Sequence, residues 1–594
     1  MRSTASYLHG FASVQTSSAA PALADSKHDE HPETIPLPFP VGCGAVKALI
    51  VIPARGGLKG LPQKGIPAVG GVSLVGRTVV TARGFVTSAR CRSVKILLDT
   101  DSHEIAAEGR RWGAVPLLHP PEPAGHVTST IDDVAFLLER LADQLPSIDA
   151  VVLLQPASLL RTAEDVTQCW EAFDPATSPS VVSVTATFDP PESLVRRDED
   201  GPRSNGAVYI ASREFLQRHR AFVVPGRTRG VPMPTERSLQ IHTPVELALA
   251  DAILGQSVTP VVRVGNARIG GGERCFIIAE AGVNHNGDGG LAHRLVDAAA
   301  DAGADAVKFQ TFDPDQLVSR ADEAQLEMAR TLVLPHEVFE QLSRHATERH
   351  LMFLSTPFDE GSADFLDSLG VPAFKVPSGE ITNLPFLAHI ARKGKPMLIS
   401  TGMSNLPEVV DALDIVRAEG NPPVALFHCV THYPADPGEC NLRAMATMRS
   451  LLHAPVGWSD HSEGISLSVA AVAVGAELLE KHFTLDRSLP GPDHKASLEP
   501  GELCALVRAI RATEAAIGDG SKEPVTSELA IALRARRSLH AARILEAGHV
   551  LAISDLVLLR PGTGIPASRA VLLVGRRMKA PTPAGALLSE ADFE

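Results

Sequence analysis

The sequence predicts an α/β protein built around a (β/α)8 TIM barrel, and three observations carry that expectation. Between Cys275 and His494 short β-type segments recur: CFIIAEAG, AVKFQTF, MFLSTPF, AFKVPSG, PMLISTG, VALFHCV, APVGWSDH and ELLEKHFTL. Most are separated by stretches of helical periodicity, and eight strand-plus-helix units is the count of a closed parallel barrel. Polar residues crowd the segment ends: Glu280, Lys308, Gln310, Ser355, Lys375, Ser378, Glu380, Thr401, His428, Ser459, His461 and His482. Packing asks for apolar strands and gives no reason to gather charge at one rim, so the rim reads as a catalytic site.

The other elements follow in order. Residues 1–44, including SSAAPALADSKHDEHPETIPLPFP, lack the compact apolar centre of a signal peptide and read as a disordered leader. ALIVIPARGG is a buried-type strand running into a Gly-rich turn, the opening of a Rossmann-like nucleotide-binding layer over 45–262. Its further strands are VKILLDTD, AVVLLQPAS, SVVSVTAT and NGAVYIAS. VRVGNARIGGGER, rich in glycine and without helical pattern, marks the boundary to the barrel, 263–516. GDGSKEPVTSE opens a linker, 517–533, to a small module over 534–594. That module holds two strand candidates, RRSLHAA and LVLLRPGTGI, too few for a large core, so it is expected to dock on another surface.

Composition narrows the function classes. A length of 594 residues corresponds to about four domains. A formal net charge of -14 argues against wrapping nucleic acid and leaves only local basic pockets for small phosphates. Seven cysteines without a Cys-x-x-Cys pair point to reduced thiols and a cytoplasmic location, with Cys429 read as packing. No apolar run approaches the roughly 18 residues that span a bilayer, so no membrane partner is expected.

The motifs AEAGVNHNG, KFQ, STPFD, FKVPSGE, STGM, HCVTHYP, GWSDH, EKHFTLD and GPDH occur in this order, and the series resembles the sialic acid synthase family. RRSL and RPGTGI are similar to the antifreeze-like (SAF) domain that ends those enzymes. The resemblance covers about 270–594. It implies a nonulosonic acid synthase that condenses phosphoenolpyruvate with an N-acylmannosamine-type or related hexose, giving a nine-carbon 2-keto acid and phosphate.

The residues suit that chemistry. As the carbon–carbon bond forms, negative charge develops on the aldehyde oxygen, and a divalent ion stabilises it as a Lewis acid. His461 and His482 end neighbouring strands and can reach one ion; the family's metal ligands fall at these positions. A lone histidine is ordinarily a hydrogen-bonded core or rim residue, but two at adjacent strand ends within matching motifs read as ligands. Two imidazoles with oxygen ligands suit Mn2+, ahead of Mg2+ or Co2+, better than Ca2+. Lys308, Gln310, Lys375 and Ser378 are candidates for holding the phosphate and carboxylate, because a buried lysine without an anion is costly. Ser400, Thr401 and Ser459 either add hydroxyls to this pocket or cap strand ends. Glu280, Glu380 and Asp493 are candidate acid-base groups, Glu380 foremost, with ion pairing to a rim lysine as the alternative for each. The resemblance places Asn284, His285, Asn286 and Tyr433 on the sugar side. It matches Arg560 to an arginine that the terminal domain inserts into a partner's site, implying a domain-swapped homodimer or a higher homo-oligomer.

IPARGGLKGLPQKGI is similar to the signature of acylneuraminate cytidylyltransferases, nucleotidyltransferases that join CTP to the same acids. Gly56 and Gly57 would admit a triphosphate to backbone amides, while Arg55, Lys59 and Lys64 balance its charge. The pattern then fails near the chemistry. Leu58 and Gly65 replace the family's Ser and Asn, HPPEPAGH brings His119, Pro123 and His126, and the late metal-binding Asp-x-Asp reads Gln240, Ile241 and His242. A hard cation needs carboxylate oxygens, and Asp101 in DTDS would have to supply them with Asp99 alone. Two readings stay open: a bifunctional enzyme that also activates its product with CTP, or a degenerate module of binding or assembly. The missing acidic pair favours the second. Rivals for the barrel are a Schiff-base aldolase, which releases no phosphate, and a catalytically silent scaffold.

Overall fold

The computed structural model describes residues 46–55, 66–88, 92–119, 130–140, 148–185, 203–255 and 258–594. The expected leader, together with Gly56, Gly57, Leu58, Lys59, Lys64, Gly65, Pro123 and His126, lies outside the described residues.

The chain divides into two compact units, one formed mainly by residues up to Asp251 and the other mainly by the remainder. In the first unit, strands β1 (Lys47–Pro53), β4 (Arg92–Thr100), β5 (Val115–Leu118), β6 (Ala150–Leu153), β7 (Ser180–Thr185), β8 (Arg203–Ser212) and β9 (Arg229–Pro232) form one sheet, and β2 (Ala68–Val69) pairs with β3 (Val72–Ser73). The sheet order is β5-β4-β1-β6-β8-β7-β9, parallel except where β8 runs against β6 and β7. The Val, Ile and Leu runs of β1 and β6 are buried along their length, as a sheet covered on both faces requires.

In the second unit, β10 (Val262–Val264) and β11 (Ala267–Ile269) form an antiparallel hairpin. Eight parallel strands follow: β12 (Phe276–Gly282), β13 (Ala306–Thr311), β14 (Met352–Pro357), β15 (Phe374–Val376), β16 (Met397–Ser400), β17 (Val424–Cys429), β18 (Val456–Asp460) and β19 (Leu478–His482). Their order, β14-β13-β12-β19-β18-β17-β16-β15, brings the first strand beside the last and makes a nearly closed barrel. Each segment expected from the sequence is one of these strands. The helices between them are cut by local signals: Asp288 caps Gly289–Ala302, which ends at left-handed Gly303, and Asp359 caps Glu360–Leu369, which ends at left-handed Gly370.

Side-chain alternation sorts each barrel strand into an apolar beginning and a polar end. Phe276, Ile278, Ala306, Leu354, Leu398, Ala425, Phe427 and Leu478 pack into one buried cluster with Val262, Val264 and Ile269 of the hairpin. Two residues further along the same strand faces stand Glu280, Lys308, Thr356, Ser400, Cys429 and Glu480. The hairpin therefore closes the apolar end and the polar groups collect at the other. Beyond the barrel, β20 (Ser538–Ala541) and β21 (Leu556–Leu559) are antiparallel, with a small core of Leu539, Leu545, Leu551, Ile565, Met578 and Phe593. This module buries a core of its own.

Candidate active site

The register of the strands at the polar end sets the site. Glu280 on β12 pairs with His482 on one side and Lys308 on the other, and Ser459 pairs with both Cys429 and Glu480. Lys308 Nζ lies 2.8 Å from Glu280 and 3.6 Å from Glu480, and donates to Thr356 Oγ1 at 2.8 Å. Lys375 Nζ lies 3.5 Å from Glu480 and donates to Ser400 Oγ at 2.7 Å. Ser459 donates to Glu480 at 2.8 Å, and Gln310 donates to Glu280 at 3.4 Å. All four charged side chains are at most 5% exposed.

This network corrects one step of the sequence reading. The lysines are not left uncompensated inside the barrel, because Glu280 and Glu480 neutralise them within the protein. Anion binding is therefore not needed to explain their burial. Glu480, absent from the expected set, is the residue that the sequence reading missed. Its signal was present: two residues before His482 on one strand, it must share that histidine's face.

The two buried carboxylates do not titrate alike. Burial pushes Glu280 up to about 7, opposed by Lys308 and reinforced by the neighbouring Glu480 charge. Burial acts on Glu480 in the same sense, but Lys308 and Lys375 outweigh it and hold that carboxyl below its ordinary range. The same two glutamates outweigh burial at Lys308 and raise it, whereas burial lowers Lys375. One carboxylate thus stays ionised while its neighbour is poised to carry a proton near neutrality.

His461 and His482 stand beside this network with ring centroids 5.7 Å apart. His461 Nδ1–H donates to the Val430 carbonyl at 2.6 Å, which leaves Nε2 as an acceptor, facing the Tyr433 hydroxyl at 2.9 Å and Ser459 Oγ at 3.4 Å. His482 Nδ1 is buried without a hydrogen bond, 3.9 Å from Asp493 Oδ2. Burial lowers both imidazoles, and His461 lowers His482 further. Burial raises Asp493 to about 6, against Lys308. Two neutral imidazoles with an acceptor nitrogen and an orphaned nitrogen are the donor set a borderline divalent ion takes. Among the described residues no three of His, Cys, Asp and Glu form a group that could hold a metal ion.

Other expected residues take different places. Ser378 accepts from the Gly402 amide at 3.0 Å and contacts Cys429 Sγ at 3.2 Å, and Cys429 is buried as packing. Thr401 donates to the Phe427 carbonyl at 2.9 Å and lies 3.9 Å from Met448 Sδ, facing the helix layer. It caps a strand end. Ser355 bonds Thr311, and His428 bonds the Cys440 carbonyl; both occupy the strand faces opposite to Thr356 and Cys429 and leave the rim set. Glu380 accepts from Asn383 at 2.7 Å in an exposed turn. Asn284 ties the end of β19 by donating to the Phe483 carbonyl and Ser497, while Asn286 faces His494 Nε2 at 3.2 Å. His285 Nδ1 accepts from Gly287, its Nε2 is buried without a partner, and burial lowers it to about 4. Arg560 follows β21 at an exposed position.

In the first unit, Arg55 follows β1 and Asp101 follows β4. Asp99 lies 3.5 Å from His119. Where the nucleotidyltransferase pattern wants its acidic pair, Gln240 donates to the Asn205 carbonyl at 2.6 Å and meets His242 Nε2 at 3.0 Å, with Ile241 fully buried between them.

Residues 295–522 match the NeuB family and residues 536–594 the SAF domain. An N,N'-diacetyllegionaminic acid synthase of Legionella pneumophila is 48% identical over 331 residues, 53% of this chain and 93% of that protein. The chain belongs to the NeuB family. A Campylobacter jejuni protein of the same name is 46% identical over 319 residues, 51% of this chain and 96% of that one. The human N-acetylneuraminate-9-phosphate synthase is 37% identical, covering 52% and 90%. A solved N-acetylneuraminic acid synthetase from Leptospira borgpetersenii is 36% identical with a TM-score of 0.44, covering 46% of this chain and 96% of that chain. The NeuB barrel and SAF domain expected from the motifs are thus both present. Among the described residues no helix is long and apolar enough to cross a membrane.

Proposed function

We propose that this NeuB chain is a nonulosonic acid synthase that condenses phosphoenolpyruvate with an N-acylmannosamine-type or related open-chain hexose, consuming one water that adds at C2 of the enol phosphate and releasing phosphate. Its relatives are named as synthases of legionaminic and neuraminic acids. The observation that carries the reading is the buried pair of lysines balanced by two glutamates of unequal acidity, set against two neutral imidazoles.

Glu280 governs anion entry. With its carboxyl protonated, the cluster of Lys308, Lys375 and Glu480 carries net positive charge and receives the phosphate and carboxylate of the enol substrate. Gln310 and Ser400 orient those groups by hydrogen bonds. His461 and His482 would hold a divalent ion, Mn2+ ahead of Mg2+ or Co2+, which would supply Lewis-acid chemistry at the aldehyde oxygen. Tyr433 and the Val430 carbonyl fix the His461 ring and its tautomer. Asp493, raised toward neutrality beside His482, is placed to exchange a proton with a substrate oxygen. Asn284, His285 and Asn286 shape the sugar side.

In this reading the domain over 45–262 is a cytidylyltransferase-like module that has lost its metal-binding carboxylates; the alternative is a bifunctional enzyme that uses CTP. The closed hydrogen bonding of Gln240 and His242 supports the first. The SAF domain over 534–594, after a linker over 517–533, carries Arg560 toward a partner's barrel in a homodimer or higher oligomer, and the protein works in the cytoplasm.

Incubating the full chain with phosphoenolpyruvate, Mn2+ and a panel of hexoses, with and without CTP, tests both halves. Phosphate release with a nine-carbon acid supports the synthase. Turnover without phosphate release, or turnover indifferent to chelator, would sink it. Pyrophosphate release from CTP restores the bifunctional alternative.

A further inference from the structure

The first unit carries a surface cleft of about 630 Å3 that the proposed chemistry does not use. The turn at 175–179, the helix Arg213–His219 after β8 and the segment leading into β9 frame it. Arg218, Arg227 and Arg229 line it, with His219 at one side and Glu214 as the one lining carboxylate. None of the three guanidinium groups forms an ion pair or a side-chain hydrogen bond with a described residue. In a chain of formal net charge -14, three cations facing one carboxylate invert the local field.

The cleft is separate from Asp99 and Asp101. Strand β8 runs against β6 with Ser212 beside Ala150, so the cleft lies at the edge where the parallel strands begin. Asp99 and Asp101 lie where β4 ends. The two positions are opposite edges of one sheet.

We propose that this cleft is a second anion site that binds a phosphorylated small molecule, a sugar phosphate or the phosphate tail of a nucleotide. Planar guanidinium forks match phosphate oxygens two bonds at a time. Clefts of several hundred Å3 hold ligands of that size. Glu214 adds an acceptor for a ligand hydroxyl, which favours the sugar-bearing class.

The test is calorimetric titration of the full chain with ribose 5-phosphate and with inorganic pyrophosphate, beside the triple variant Arg218→Gln, Arg227→Gln, Arg229→Gln. These side chains are exposed, and an unchanged thermal melt and unchanged phosphate release by the barrel certify the variant's fold. At least a tenfold loss of affinity for either probe supports the site. The probe that binds more tightly, and a further loss with Glu214→Gln for ribose 5-phosphate alone, distinguishes the sources. No binding of either probe, or equal binding by the variant, overturns the proposal.

Discussion

The barrel and the first unit's sheet both place polar residues at the ends of parallel strands, and in the barrel these residues join in one connected charge cluster. Lys308, Lys375, Glu280 and Glu480 come from four strands and meet in a closed interior where charge cannot be solvated, so each fixes the next. At the first unit's late Gln240-Ile241-His242, the polar groups satisfy one another and the neighbouring backbone instead. Neutral groups stand there, and they close on one another and on the Asn205 carbonyl. Carboxylate placement, more than the α/β frame, separates the two regions.

The largest expected effect breaks the comparison on the barrel side. His461→Ala or His482→Ala should lower phosphate release on the order of a hundred- to a thousand-fold, the scale for losing a group that stabilises developing negative charge. Asp101→Ala should leave that rate unchanged, and steady-state kinetics with far-ultraviolet circular dichroism checks both. Equal losses in the two regions would refute the division.

Next in size is Glu480→Gln, which leaves Lys375 and Lys308 short of an anion and should destabilise the barrel by about 3–5 kcal/mol in urea unfolding. A Glu380→Gln variant should cost under about 0.5 kcal/mol, since its partner Asn383 sits in an exposed turn.

The pH dependence sharpens the role of Glu280. Its carboxyl is raised to about 7, so it is protonated below that pH and ionised above it. Ionisation cancels the cluster's positive charge, so KM for phosphoenolpyruvate should rise about tenfold per unit as pH climbs through 7 and beyond. Glu280→Gln should flatten the profile; a profile identical to the wild type would remove Glu280 from anion binding.

A smaller, local effect belongs to the SAF domain, where buried Asp555 accepts from Arg543 at 2.8 Å, His549 at 2.7 Å and the Ala552 amide at 2.9 Å. The His549 hydrogen bond leads the causes that hold its carboxyl at about 2, below the ordinary 3.8. The folded pKa is the lower one, so this stabilisation is complete above about 4 and fades as pH falls toward 2. Asp555→Asn should cost about 1–3 kcal/mol at neutral pH and lose that acid dependence, as a thermal melt of the full chain would show.

Much of the barrel is legible in the sequence. Apolar runs closing on polar ends located all eight strands, and the motif order pointed to the family and its SAF domain. Face assignment was harder. His428 and Ser355 looked like rim residues, but alternation turns them to the outer face, and Thr401 is occupied by a backbone carbonyl. PSGE sets Glu380 beside Ser378 in sequence, while the burial that raises a carboxyl toward neutrality is a feature of Glu280 that no local motif announces.

Residue order alone settled the strand count, the apolar and polar ends of each strand and the histidines near their tips, because these follow from local alternation and local motifs. The folded molecule decided which lysine meets which glutamate, why Glu480 stays ionised while Glu280 nears neutrality, and which end of the first sheet bears the cleft lined by Arg218, Arg227 and Arg229. Those outcomes depend on distance and on exclusion of water between residues far apart in the chain, and only the closed arrangement of strands sets either one.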